Sequence, residues 1–337
     1  MIGISTLLRF EERITDSAKR GLAHDLMRIG RGKVVIDAPL RDYSRWQIGG
    51  PADVLVEPST LESVRACLKW LHGAGVPVIV IGDGSNILFD DAGVRAVVMR
   101  LGRSLSRYGI VGMTAWAEAG LFVPQFIHAL GNAGLSGAEH AIGIPGTLGG
   151  LVMMNGGSMR KGIGERLTQV HCCDMLGTAF TWTQQECEFR YRGSRLQDAG
   201  AVVLSAEFAF DRGDPRQMRR EMLKIMRDRN AKFPRELPNC GSVFVSDPAM
   251  YAIVGPPGKA IEDVGLKGRR SGNAQISPLH ANFFVNLGGA GSNDILRLIH
   301  LARRLVHERT GFWMESEVRH IGPDGLIRPA HEVAGKP

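Results

Sequence analysis

The chain has 337 residues, 44% of them hydrophobic, and a formal net charge of +7 from 41 Lys+Arg against 34 Asp+Glu. That length favours two or three domains over a single core. The basic excess is dispersed, with no basic–aromatic interleaving, which argues against nucleic acid as a partner, and no apolar run reaches the ~18 residues of a membrane span. The N-terminus also lacks a basic, apolar and small-residue leader, so a cytoplasmic location is expected. The cysteines are Cys67, Cys172, Cys173, Cys187 and Cys240. Their number is odd and their spacings match no zinc pattern, so buried thiols are expected, even with His171 adjacent, and no metal.

Residues 1–33 read as an N-terminal extension, with Leu7, Leu8, Ile14 and Leu22 on one face of a short helix. Val34–Ile36 and Asp53–Val56 are predicted strands. Ser59, with Glu62 three positions on, predicts a capping box. Val64, Cys67, Leu68 and Leu71 continue at helical spacing, and Gly73 and Gly75 end that helix. Val78–Ile81 and Ala96–Met99 are further strands. A second unit follows, with strands near Met113–Ala119, Val170–Met175 and Val202–Phe210 and a helix near Phe122–Ala133. Gly213-Asp214-Pro215 breaks the chain, and Met218, Met222, Ile225 and Met226 mark a helix whose methionines fill core. The last helix spans about Asn293–Arg309 and ends at Gly311, a C-cap glycine.

Two stretches carry the chemistry. In Gly82-Asp83-Gly84-Ser85-Asn86 a buried strand runs into small polar residues whose amides can form a concave nest for phosphate oxygens. An ordinary turn explains this stretch equally well on its own, because a lone Gly-x-Gly is weak and no Rossmann fingerprint follows. In Gly143-Ile144-Pro145-Gly146-Thr147-Leu148-Gly149-Gly150 and Met154-Asn155-Gly156-Gly157 the glycine density is harder to explain by packing. Each glycine costs conformational entropy, so close backbone approach to a flat or charged ligand is the economical reading.

Together these stretches resemble the FAD-binding domain of the p-cresol methylhydroxylase superfamily, and within it the UDP-N-acetylenolpyruvoylglucosamine reductase family, second type. Further pieces follow in order: Ile48-Gly49-Gly50-Pro51-Ala52-Asp53, Phe189-Arg190-Tyr191-Arg192, Pro238-Asn239-Cys240-Gly241-Ser242-Val243-Phe244, Gly265-Leu266-Lys267-Gly268, Gly272 to Ser277, His280-Ala281-Asn282-Phe283 and Glu315-Ser316-Glu317-Val318-Arg319. The resemblance covers residues 38–322. It implies an α+β fold: a two-part FAD-binding domain (34–100 and 101–216), a smaller α/β substrate-binding domain (217–312) and a C-terminal segment (313–337) carrying a catalytic glutamate.

By the same resemblance, Gly82, Asp83, Gly84, Ser85, Asn86, Ile144, Pro145, Gly146, Thr147, Gly149, Gly150 and Asn155 would hold noncovalent FAD, with NADPH as hydride donor. Tyr191, Lys232, Asn239, Gln275 and Asn282 would contact a UDP-sugar. The family reduces an enolpyruvyl ether to a lactyl ether, and a monomer is expected. Arg192 would stabilise charge building on the substrate carboxylate, and Ser242 would protonate C2. Glu317 helps only if protonated or if it orients another donor, and burial beside an anion favours protonation. Without the resemblance, Arg192 reads as one of a solvated trio with Arg190 and Arg195, Ser242 as a turn cap, and Glu317 as a partner of Arg319 or Arg304.

Departures from the family pattern cluster near the expected substrate pocket. Gly156 to Gly162 replaces Ala-Gly-Ala-Tyr-Gly, Val245-Ser246-Asp247-Pro248 replaces Lys-Asn-Pro, Arg190 stands for a glycine, and Ser316 stands for a proline. These leave room for two other readings: a paralogue reducing another unsaturated nucleotide-sugar, with Arg160 and Lys161 supplying phosphate contacts, or a flavin-binding protein without turnover.

Overall fold

Strands Pro51–Glu57 and Val94–Arg100 are buried along almost their whole length. Strands apolar on both faces must lie inside a sheet covered on both sides. They do, in a four-stranded sheet ordered Lys33–Pro39, Pro51–Glu57, Val94–Arg100, Val78–Ile81. The first pair is antiparallel and the others parallel. Val54, Val56, Val97 and Met99 face helices Asp16–Gly30 and Leu61–Gly73. Leu55, Ile79, Ile81 and Val98 point the other way, onto Leu40, Phe89 and Ile321. The computed structural model describes residues 14–246 and 248–335, so the expectation for Leu7 and Leu8 lies outside the described residues.

The segment before residue 34 does more than extend the chain. Leu22 and Leu26 of helix Asp16–Gly30 enter the main core. Lys19, on the same helix, is 1% exposed and forms ion pairs with Asp37 and, at 3.3 Å, with Asp53, which Arg95 also meets at 3.0 Å. The cap of the next helix also lies one residue later than expected. Thr60, not Ser59, is the N-cap, exchanging hydrogen bonds with Ser63, while the Ser59 hydroxyl donates to Gly30 O at 3.3 Å.

The second unit is a five-stranded antiparallel sheet ordered Ala179–Thr183, Leu167–Cys173, Val202–Ala209, Thr114–Glu118, Tyr108–Val111. Helices Val123–Asn132 and Leu148–Met153 pack against it. The methionine-marked helix spans Pro215–Lys232, and its Met222 and Ile225 join this core. It therefore packs with the second unit, and the third core begins after it, not at residue 217. All the cysteines are buried free thiols; burial pushes Cys67 up to about 12 and Cys173 up to about 11, so they stay protonated and inert.

The third core gathers Val243, Phe244, Ile276, Phe284, Ile295, Ile299 and Met314 around helix Ser292–Thr310, which ends at Gly311 with φ 76°. Trp46 and Ile48, from the first unit, are buried in that core. Trp46 Nε1 donates to Phe284 O at 2.7 Å, and Asn286 Nδ2 donates to Trp46 O at 2.9 Å. The chain then returns to the first unit. Strand Arg319–Ile321 pairs in parallel with Ile87–Phe89, immediately after the first glycine loop.

Lys19→Ala should destabilise the protein by about 3 kcal/mol, because it leaves the buried Asp53 carboxylate short of a cation. Urea denaturation would measure this, and a wild-type midpoint would contradict the role given to the helix.

Candidate active site

The two glycine stretches lie against each other. A Cβ on Gly82 would stand 2.2 Å from Thr147 Oγ1, and one on Gly146 (φ 136°) would stand 2.7 Å from Ser85 Oγ. Gly84, in the left-handed region at φ 58°, meets the backbone of Tyr43, with Tyr43 O 2.1 Å from the same construction. Gly149 abuts Ala119, Gly156 abuts Leu151 and Gly157 abuts Lys161 O. Part of the glycine density therefore serves close packing of the two stretches against each other and their surroundings, in addition to the ligand approach expected of it. Ile144 packs against the main core, and Gly150 has only Thr147 Oγ1 near, at 3.6 Å.

Beside this junction opens a cavity of about 840 Å³, lined by Asp83 and Pro145 from the two stretches and by Tyr43, Ser44, Gly120 and Phe122. Arg45, Arg100, Arg103, Arg229 and Arg235 line it too, a strongly cationic wall. Arg100 donates to Asp83 at 2.8 Å and Glu57 at 3.2 Å, while its buried Nε has no partner. Gly143 leaves space for Arg229: a Cβ there would lie 2.3 Å from its Nε. Burial, then Arg235 and Arg192, lower the Arg229 pKa from its usual range. A cleft of this volume with guanidinium donors and an unmatched N–H suits a phosphate-bearing dinucleotide, so these residues fit FAD. No arginine of this wall was singled out from sequence, because the residues are scattered and share no motif.

The three expected catalytic residues come from two units of the fold. Strand geometry brings two of them together: Glu317 N donates to Val243 O at 2.8 Å, next to Ser242, and Ser242 pairs with Phe283 in an isolated bridge. Arg192 reaches in from the second unit on a left-handed turn (φ 56°), with its Nε 3.3 Å from Glu317 Oε1 and its Nη2 donating to Gly157 O at 3.0 Å. Its neighbours behave differently. Arg190 pairs with Asp198 and Arg195 with Glu188 at the surface, and Arg304 pairs with Glu308. Burial raises the Glu317 pKa from its ordinary value, and Arg192 only partly offsets this.

Several expected contact residues instead hold this arrangement in place. Asn86 Nδ2 donates to Glu317 O at 3.1 Å. Asn155 Oδ1 accepts from Gly164 N and its Nδ2 donates to Arg190 O, bracing the turn before Arg192. Asn282 is 3% exposed; its Oδ1 accepts from Phe244 N and its Nδ2 donates to Phe244 O. Asn239 donates to Pro234 O and Leu237 O and accepts from Gly241 N. Gln275 Nε2 donates to Gly268 O within the third unit. These backbone bonds give Asn239, Gln275 and Asn282 a positioning role, while Asn239 also lines the larger cavity and Asn282 the one beside Ser242. Tyr191 and Lys232 remain exposed, with Arg192 over the Tyr191 ring at 5.2 Å.

A smaller cavity of about 250 Å³ adjoins Ser242, lined also by Phe233, Ser246, Lys259, Glu262, His280 and Asn282. Arg160, from the altered 156–162 loop, lies over the Tyr251 ring at 5.2 Å and so joins the second unit to the third. His171, suggestive beside the cysteines, bonds Thr181 and Glu207 instead. Among the described residues there is no cluster of His, Cys, Asp and Glu that could hold a metal.

The "FAD binding domain" family matches residues 52–182, and the "UDP-N-acetylenolpyruvoylglucosamine reductase, C-terminal domain" family matches residues 233–321. UDP-N-acetylenolpyruvoylglucosamine reductase 1 of Corynebacterium glutamicum is 49% identical over 88% of this chain and 89% of its own. The reductase of Rubrobacter xylanophilus is 40% identical over 85% of this chain and 94% of its own. The crystal structure of the corresponding reductase from Thermus caldophilus superposes with a TM-score of 0.72 at 32% identity, covering 86% of this chain and 98% of that one.

Gly84→Ala should cost more than about 1 kcal/mol, since the new methyl meets backbone at a positive φ. It should lower both the melting temperature and the bound flavin per protein, read from the absorbance spectrum. An unchanged flavin ratio would dissociate this junction from the cofactor.

Proposed function

The chain belongs to the UDP-N-acetylenolpyruvoylglucosamine reductase family, and we propose that Arg192, Ser242 and Glu317 carry out its chemistry at the junction of its units. The protein is an FAD-dependent, NADPH-driven oxidoreductase of peptidoglycan precursor synthesis. It reduces UDP-N-acetylglucosamine enolpyruvate to UDP-N-acetylmuramate. The observation that carries the site assignment is the approach of Arg192 to Glu317, 3.3 Å apart, beside the segment bearing Ser242.

Bound FAD supplies the carrier that takes hydride from NADPH and later yields it to the enolpyruvyl double bond. The protein's residues manage charge and protons. As hydride adds at C3 of the substrate, negative charge accumulates on C2 and the attached carboxylate. Arg192, two-thirds or more buried and fixed by Gly157 O, is a preorganised cation for that carboxylate. Ser242 supplies the proton to C2. A bound anion next to Glu317 raises its pKa further. The protonated carboxyl then releases Arg192 to the substrate and can itself donate a hydrogen bond.

The arginine-lined cavity is assigned to FAD and the Ser242 cavity to part of the UDP-sugar, with Tyr191 and Lys232 at its margin. Arg160, seated over Tyr251, favours a bridging role over a phosphate contact. We infer a cytoplasmic monomer, as the family resemblance implies, and no nucleic-acid partner, because the basic residues are dispersed along the chain. Among the described residues, no helix is long and apolar enough to cross a membrane.

The decisive experiment reduces the purified flavoprotein anaerobically with NADPH and then adds the enolpyruvyl substrate. Ser242→Ala should reduce normally but reoxidise roughly 10²–10⁴-fold more slowly. Equal reoxidation rates would remove Ser242 from the chemistry, and flavin that substrate never reoxidises would favour a paralogue with another unsaturated nucleotide-sugar.

Turnover should also fall as pH rises through the Glu317 pKa, because the required protonated form is lost there. That alkaline limb should be absent in Glu317→Gln; its persistence would assign it elsewhere.

A further inference from the structure

Ser316 occupies the place where the family pattern has proline, directly before Glu317. Its neighbours in sequence are held by strand pairing: Val245 N donates to Glu315 O at 2.9 Å and Glu317 N donates to Val243 O at 2.8 Å. In this antiparallel bridge Ser316 faces Phe244 as the pair without mutual bonds, so its own N–H points away from the ladder. A proline there needs no partner for that position. A serine that is 6% exposed does.

His331, on the short C-terminal helix Ala330–Val333, supplies the partner. Ser316 N donates to His331 Nδ1 at 2.9 Å, and His331 N donates to Ser316 Oγ at 3.1 Å. Ser316 Oγ lies 3.1 Å from Val318 O and 3.0 Å from His331 Nδ1. The hydroxyl has one proton and gives it to Val318 O, because Nδ1 already accepts the amide. This arrangement requires a neutral imidazole with its proton on Nε2. Backbone on both sides of Glu317 is thereby fixed, since Ser316 and Val318 share one hydroxyl.

We propose that His331 is a positioning residue for the reaction, acting through Ser316 to set Glu317, and that it replaces the rigidity of the family's proline. The inference rests on the catalytic role given to Glu317 above. His331 does not touch the substrate; it fixes the residue that does. Protonation of Nδ1 removes the acceptor, strands the Ser316 N–H and loosens the Glu317 backbone. The charged groups facing the ring are Arg303 on helix Ser292–Thr310, Arg319 on the adjoining strand, and Glu315 and Glu332. Burial, then Arg303, lower its pKa from the usual 6.5, which keeps the clamp formed at neutral pH. By sign, a depressed imidazole loses the clamp only as pH falls through that lowered value.

The test compares stopped-flow reoxidation of the NADPH-reduced holoenzyme by substrate across pH for four variants. His331→Ala should slow reoxidation about tenfold or more while leaving flavin reduction unaffected, because a misaligned group costs rate only in its own step. His331→Asn offers a non-titrating oxygen near the Nδ1 position and should keep most of the rate but lose the acid limb. Adding Ser316→Pro to His331→Ala should recover much of the lost rate, since proline has no N–H to satisfy. A wild-type rate and pH profile in His331→Ala, or failure of the proline to rescue, would overturn the clamp. A wild-type rate in Glu317→Ala would overturn the role of Glu317 itself, which separates the two failures.

Discussion

Arg319, His320 and Ile321 lie in parallel register with Ile87, Leu88 and Phe89, and Arg319 N donates to Asn86 O at 3.1 Å. This short pairing fixes the end of the first glycine loop to the strand that follows Glu317. Asn86 adds its side-chain bond to Glu317 O. The first glycine loop and the Glu317 segment are therefore parts of one hydrogen-bonded unit, although they lie far apart along the chain. The strand is only three residues long, but Ile321 and Phe89 are buried in the core beneath it, so apolar packing supports the register.

The geometry of the site follows from stacking such ties. Arg192 enters on a strained turn that Asn155 braces from the second glycine stretch. The Ser242 segment is gripped by Asn282 through both polar groups of Phe244. Each of these amides hydrogen-bonds backbone and so sets the position of a neighbouring segment. Preorganisation of this kind is what lets a guanidinium act on developing charge without rearranging.

Local physical rules made much of the architecture legible in the sequence. The helical spacing of Val64, Cys67, Leu68 and Leu71, the strand Val78–Ile81 and the C-cap at Gly311 all stand as periodicity and capping predict. Motifs also picked out Arg192 and Glu317, which do meet. What stayed hidden depends on tertiary neighbours. Arg100 and Arg229 carry no motif and become one cationic wall only when separate elements converge. Asn239 and Asn282 look identical in sequence whether they bond a sugar or a backbone. The glycine density has a tertiary reason too: Gly82 and Gly146 make room for the opposite loop's Thr147 and Ser85. The cap at Thr60 shows the limit at the smallest scale, since two adjacent hydroxyl residues compete and Ser59 is drawn to Gly30 O.

The burial of Trp46 in the third core has a consequence for how the polypeptide is made. Synthesis delivers Trp46 and Leu88 early, but their packing partners Phe284 and Val318 emerge near the end. Until then the first unit exposes an indole and an open strand edge at Ile87–Phe89. Contacts this distant in sequence form slowly, and unpaired edges invite association. The nascent chain is therefore most vulnerable during elongation of its last third, and the ribosome-bound intermediate, more than the finished fold, is where a chaperone has apolar surface to grip.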